Sequence, residues 1–153
     1  MTLEQQLQLI IDDAANYGVP SSVVESAIAP VLKVFAEQLQ HLEYYILQNL
    51  AEDWVLTTIA NPQLQQSKKV IYAFISVQDA ATFQGTANAD LIAMPIDVVQ
   101  LLFRLFSLQE VDSIIFLENS LNLNHGVEIE RDRLSQLIRQ QIEQLGKIPP
   151  NIA

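Results

Sequence analysis

His41 and His125 are the only side chains in the sequence whose ordinary protonation equilibrium lies near neutrality, so acid-base or metal chemistry would have to start from them. His41 follows Glu37 by four residues, and one helix face would bring the two together. Two ligands leave a zinc-type centre incomplete, and no third is spaced to join them. A helical ion pair near the surface is the favoured reading of His41, and no metal site is expected. His125 stands in ENSLNLNHG, directly after an apolar run. Loops at strand ends commonly carry sites, which makes Glu118, Asn119 and His125 the candidate ligand-binding residues. Asparagine and glycine are also what a tight turn demands, because both tolerate positive φ. Turn chemistry is favoured at this segment, with ligand binding as the alternative.

The remaining reactive groups have structural explanations. Asp12-Asp13 and Glu52-Asp53 are sequence neighbours, which do not face one another on a helix and so do not form a paired-carboxylate site. Ser76, in FISVQ, lacks the flanking glycines of a nucleophile elbow. With Asp79 three residues on, it reads as a helix N-cap. There is no cysteine, hence no disulfide, thiolate nucleophile or thiolate metal site, and a reducing, cytoplasmic setting is expected. Glycine-rich phosphate loops, HExxH pairs and EF-hand loops are absent from the sequence. No catalytic residue is assigned and no cofactor is expected.

Eighteen acidic residues against eight basic ones give a formal charge of −10, and the basic residues are scattered from Lys33 to Lys147. A phosphate backbone requires clustered lysine and arginine, so nucleic acid is not an expected partner. The same negative field repels anionic lipid. The N-terminus has no basic region ahead of its apolar residues and is interrupted by Asp12 and Asp13, unlike a signal peptide. The most apolar window, residues 91–106, contains Pro95, Asp97, Gln100 and Arg104, whereas a membrane-spanning helix needs about 20 apolar residues.

Periodicity supplies the elements that would position these residues. Thr2 with Gln5 forms a capping box for a first helix ending near Gly18. Ser22 with Glu25 looks like a second one, opening a short helix to about residue 29 and a longer one over 30–50, divided at Pro30. Strands are expected at 54–60 and 68–76, antiparallel across a polar turn, followed by a short helix capped by Ser76. A strand at 90–94 leads into a helix starting at Pro95. The apolar run 114–118 reads as a central strand, VEIE at 127–130 as an edge strand, and residues 131–146 as a terminal helix burying Leu134, Leu137, Ile138, Ile142 and Leu145.

The expected architecture is α+β: N-terminal helices, about 2–50, packed on or beside a small mixed sheet of four to five strands with two or three helices. Residues 1–50 and 51–148 are expected to form one compact unit. The 30–50 helix carries Tyr44, Tyr45 and Leu47 beside its main stripe, more apolar circumference than one packing face needs. Phe35, Leu39, Tyr44 and Tyr45 are therefore candidate interface residues for a homodimer through that helix. The function expected is a non-enzymatic, self-associating protein-interaction or regulatory module. The alternatives are a small-molecule-binding protein or minor enzyme with a site near residues 118–125, and a chaperone-like binder of one partner protein.

The segments KKVIYAFISVQDAATF, ADLIAMPIDVVQLLF, VDSIIFLENS and VEIERDRLSQLIRQQI occur in an order that resembles the SseB family N-terminal domain, over residues 54–142. The resemblance implies an α+β fold for that stretch. It implies no catalytic residue, because the family offers none to carry over.

Overall fold

The computed structural model describes residues 1–84, 90–118 and 126–146. Helix α1 (Leu3–Asp12) begins with the expected capping box: Thr2 Oγ1 accepts from Gln5 N at 3.2 Å, and Gln5 Oε1 accepts from Thr2 N at 2.9 Å. A 3-10 turn, Ala14–Tyr17, ends at Gly18, whose φ of 72° is the left-handed conformation glycine adopts without penalty. Helix α2 (Ser21–Val23) starts after Pro20 with no side-chain cap, so the Ser22–Glu25 box does not form. A π turn, Val24–Ile28, then continues into α3 (Ala29–Glu37). The division expected at Pro30 falls one residue earlier, where the π turn gives way to α3 without a break in the helical path. Pro30 falls in the first turn of α3, where its missing N–H follows a widened i→i−5 turn and costs no regular hydrogen bond.

Beyond Glu37 the structure departs from the expected long helix: residues 43–48 are strand β1 (Glu43–Gln48). In a pleated strand Tyr44 and Ile46 face one side while Tyr45 and Leu47 face the other, and both sides are covered. The surplus apolar circumference thus belongs to a strand buried on two faces. The extra strand raises the sheet to six: β1, β2 (Thr57–Asn61), β3 (Gln66–Phe74), β4 (Ile92–Asp97), β5 (Ser113–Phe116) and β6 (Val127–Glu130). Its order is β4-β1-β3-β5-β6, with β2 paired to the first half of β3. Only β3 and β5 run parallel, joined by a crossover containing α4 (Val77–Gln84), β4 and α5 (Val98–Ser107).

The β2–β3 hairpin is antiparallel, as the short polar connection requires. Ser76 caps α4, with Asp79 N donating to its Oγ at 3.0 Å. Strand β4 runs to Asp97 instead of yielding to a helix at Pro95. Pro95 pairs with Tyr45 on this edge strand, where a residue without N–H is tolerated. The 114–118 run is interior, between β3 and β6, with β3 at the middle of the order. VEIE is the opposite edge, as expected.

Helices α1, α3, α5 and α6 (Arg131–Gly146) cover one face, burying Ile46, Ile71, Ile114 and Phe116 against Leu32, Leu102 and Leu134. Helix α4 covers part of the other, over Leu47, Phe74 and Leu117. At 16 residues α6 is about 24 Å long. Its last turns outrun their packing partners, so Ile142 and Leu145 are exposed where burial is expected. The fold is α+β, with the N-terminal helices beside a mixed open sheet.

The burial pattern also corrects the interface residues. Phe35, Leu39 and Tyr44 lie in the chain's own core, and Tyr45 is half-buried on the α4 side of the sheet. A homodimer built on a 30–50 helix through these four residues loses its physical basis, because the chain leaves the helix after Glu37 and Phe35, Leu39, Tyr44 and Tyr45 already have partners within the chain.

Candidate functional site

Of the three candidate ligand-binding residues, Glu118 is described, while Asn119 and His125 lie outside the described residues. Glu118 follows β5 and is only 4% exposed. One carboxylate oxygen accepts from Gln40 N at 2.7 Å, in the turn between α3 and β1, and the other accepts from the Tyr44 hydroxyl. That hydroxyl in turn accepts from His41 N at 3.3 Å. The ring of Tyr44 packs edge-on against Phe116 at 4.8 Å and against the His41 ring at 5.7 Å. Burial, the hydrogen bond to Glu118 and the Glu118 charge together hold the Tyr44 hydroxyl well above the usual tyrosine range. Both oxygens of Glu118 thus fasten the α3–β1 turn to the end of β5. His41 contributes its backbone and the edge of its ring, and it lies in a turn, so the helical Glu37–His41 pair is not formed.

Other polar side chains around the sheet are also engaged. Gln6 donates from Nε2 to the Leu42 carbonyl at 2.9 Å and accepts Val99 N at 3.1 Å, tying α1 to the entries of β1 and α5. Ser113 donates to Glu128 Oε2 at 2.6 Å, and Lys68 donates to the same oxygen at 2.5 Å. Partial burial pushes the Glu128 carboxyl up, but the hydrogen bonds from Lys68 and Ser113 outweigh it and set the group below its ordinary range. Asp112 binds the β3 backbone through Lys69 N at 2.8 Å.

The pattern fails at one place. Trp54 is 8% exposed, and its indole N–H is the single buried side-chain polar atom among the described residues without a hydrogen-bond partner. The Arg104 guanidinium lies over its ring at 4.0 Å, a cation–π contact. None of the guanidinium donors has an acceptor among the described residues, and burial pushes the group below its ordinary value against the opposing effect of Tyr17. These two residues line a pocket of about 360 Å³ with Asp53, Leu56, Ile71, Leu108, Glu110 and Val111. Its walls come from the β1–β2 connection and from the end of α5 with the turn after it, while Ile71 of β3 forms the floor.

The β1–β2 connection is held tightly. Asn49 Oδ1 accepts from Ala51 N at 2.9 Å and Asp53 N at 3.0 Å, and Asn49 N donates to the Asp53 carbonyl at 2.9 Å. Closing this turn forces Glu52 to a φ of 67°, a left-handed conformation that an L residue adopts at a cost of about 1–2 kcal/mol. Strain of this kind concentrates near ligand sites, and here it sits two residues before Trp54.

Sequence reasoning did not single out the Trp54–Arg104 pair. A signal was present: Trp54 is the sole tryptophan, and Arg104 is the only charge in VVQLLFRLFS. Among the described residues no group of three or more metal-binding side chains is assembled, and no helix is long and apolar enough to cross a membrane. No family model and no curated protein matches this chain.

Proposed function

We propose that the chain is a non-enzymatic cytoplasmic binding module, of interaction or regulatory type, that recognises a carboxylate-bearing molecule through Arg104. One observation carries this: a half-buried guanidinium, stacked on Trp54 at 4.0 Å at a pocket, has no acceptor among the described residues, while the buried Glu118 and Ser113 are engaged. Arginine's planar fork matches a carboxylate in two parallel hydrogen bonds, and the aromatic stack holds it ready for one. A module without chemistry of its own is supported by Glu118 and Ser113, whose reactive oxygens are fixed in structural hydrogen bonds. The SseB-like assignment of residues 54–142 belongs to the same proposal, supported by the element order β3, α4, β4, α5, β5, β6, α6.

Thermal unfolding against matched pairs of small carboxylic acids and their neutral amides tests the proposal. Carboxylates should raise the melting temperature of the native chain and leave Arg104→Gln unmoved. Equal shifts from acids and amides, or equal shifts in both proteins, would refute it.

A further inference from the structure

Resting on that carboxylate reading, we infer that the pocket takes a small α-amino acid with an aliphatic side chain, bound as its zwitterion. Asp53 and Glu110 line the same pocket as Arg104, and neither carboxylate has a hydrogen-bond or ion-pair partner among the described residues. A simple anion would meet one positive and two negative side chains there, on a chain of formal charge −10, and its attraction to Arg104 would be weakened. An ammonium group on the same molecule reverses the sign of that interaction. The end of α5 adds to it, because Glu110 and Leu108 stand just past Ser107, where the helix terminus carries partial negative charge.

The rest of the lining fits the remainder of such a molecule. Leu56, Ile71, Leu108 and Val111 are aliphatic and offer no hydrogen-bonding side chain. A volume of about 360 Å³ is at the small end of ligand pockets, suited to one amino acid and too small for a cofactor. The tight Asn49–Asp53 turn fixes the backbone of Asp53 ahead of binding, which lowers the ordering cost of engaging an ammonium. The unpaired indole N–H in a side chain more than nine-tenths buried is the independent sign that polar interactions at this wall are incomplete in the free chain.

Trp54 is the only tryptophan, so its emission reports on the pocket alone. The experiment is a fluorescence titration of the full chain at pH 7 with L-leucine, N-acetyl-L-leucine, which lacks the ammonium, and L-leucinamide, which lacks the carboxylate. Leucine should give a saturable change, with each analogue at least about tenfold weaker, the effect of losing one charge-assisted hydrogen bond. The double variant Asp53→Asn with Glu110→Gln should weaken leucine by about tenfold or more, leave N-acetyl-leucine no weaker than before, and melt as the native chain does. If N-acetyl-leucine binds as tightly as leucine, the zwitterion is wrong while the carboxylate reading stands. If leucinamide matches leucine, or no compound binds, both fail.

Discussion

Replacing Tyr44 by phenylalanine tests the Glu118 fastening with a pH signature that packing alone would not produce. The ring and its edge contacts to Phe116 and His41 are kept, and only the hydroxyl that donates to Glu118 is lost. A hydrogen bond to a charged group contributes about 1.5–3 kcal/mol, so Tyr44→Phe should be about 2 kcal/mol less stable near pH 8. The native hydroxyl titrates well above the usual tyrosine value because it is buried and bonded to Glu118. A folded-state pKa raised in this way contributes stability that is complete below the unfolded value, about 10, and is lost as pH rises from there toward the folded value. At pH 11 the unfolded phenol is mostly ionised while the folded one keeps its proton, and the native chain loses about 1.4 kcal/mol on this account. Tyr44→Phe has no such group in either state. The stability gap between the two proteins, read from urea unfolding at pH 8, 10 and 11, should therefore shrink from about 2 to about 0.6 kcal/mol. A gap independent of pH, or smaller than about 0.5 kcal/mol at pH 8, would refute the assignment of Glu118 and Tyr44 as a buried fastening.

Gln6→Leu should cost about 1–3 kcal/mol in urea unfolding despite its greater apolarity, because Val99 N is left without its acceptor beneath α1. Glu52→Gly should stabilise by about 0.5–1 kcal/mol, seen as a melting point about 1–4 °C higher, since glycine takes the 67° φ without steric cost. Glu128, held below its ordinary range by Lys68 and Ser113, contributes stability present above the unfolded carboxylate value, about 4.3, and lost as pH falls through the folded value. Glu128→Gln should accordingly flatten the acid limb of the stability profile, and an unchanged slope below pH 4.5 would count against the cluster.

The elements read correctly from the sequence are those whose signals are local. The Thr2–Gln5 cap, the Ser76 cap, the polar turn between β2 and β3, and the alternation in VEIE each depend on residues a few positions apart. The misread stretch is 38–50, where Leu39, Leu42, Ile46 and Leu50 fit a helical stripe although the chain turns after Glu37 and enters the sheet. EYYILQ is apolar at four successive positions, which is compatible with a helix or with a strand buried on both faces, and only β3 and β4 on either side decide between them. The aromatic and β-branched residues at 44–46 favoured the strand, but the apolar stripe continuing from α3 concealed it. Pro95 misled for a related reason, since a proline that suits a helix start also suits an edge strand, and edge position is a property of the sheet.

That one misreading also hid the pocket. With residues 30–50 as a helix, Trp54 opens a strand of unknown neighbours and has no evident relation to Arg104, fifty positions away in sequence. Once Glu43–Gln48 is a strand between β4 and β3, the bridge from Gln48 to Trp54 carries the tryptophan to the helix that follows β4. The sequence points instead to the other end of the sheet, because loops at strand ends commonly carry sites and β5 delivers Glu118 there. Here only β3 and β5 are parallel, and the group at that end is committed to holding Gln40 and Tyr44 in place. The charge without an acceptor among the described residues, Arg104, lies in the last turn of α5, at the pocket floored by Ile71 of β3. A lone arginine in an otherwise apolar helix needs either a carboxylate or an aromatic face to remain there. Among the described residues it has the aromatic face alone, which is the basis for proposing a carboxylate ligand.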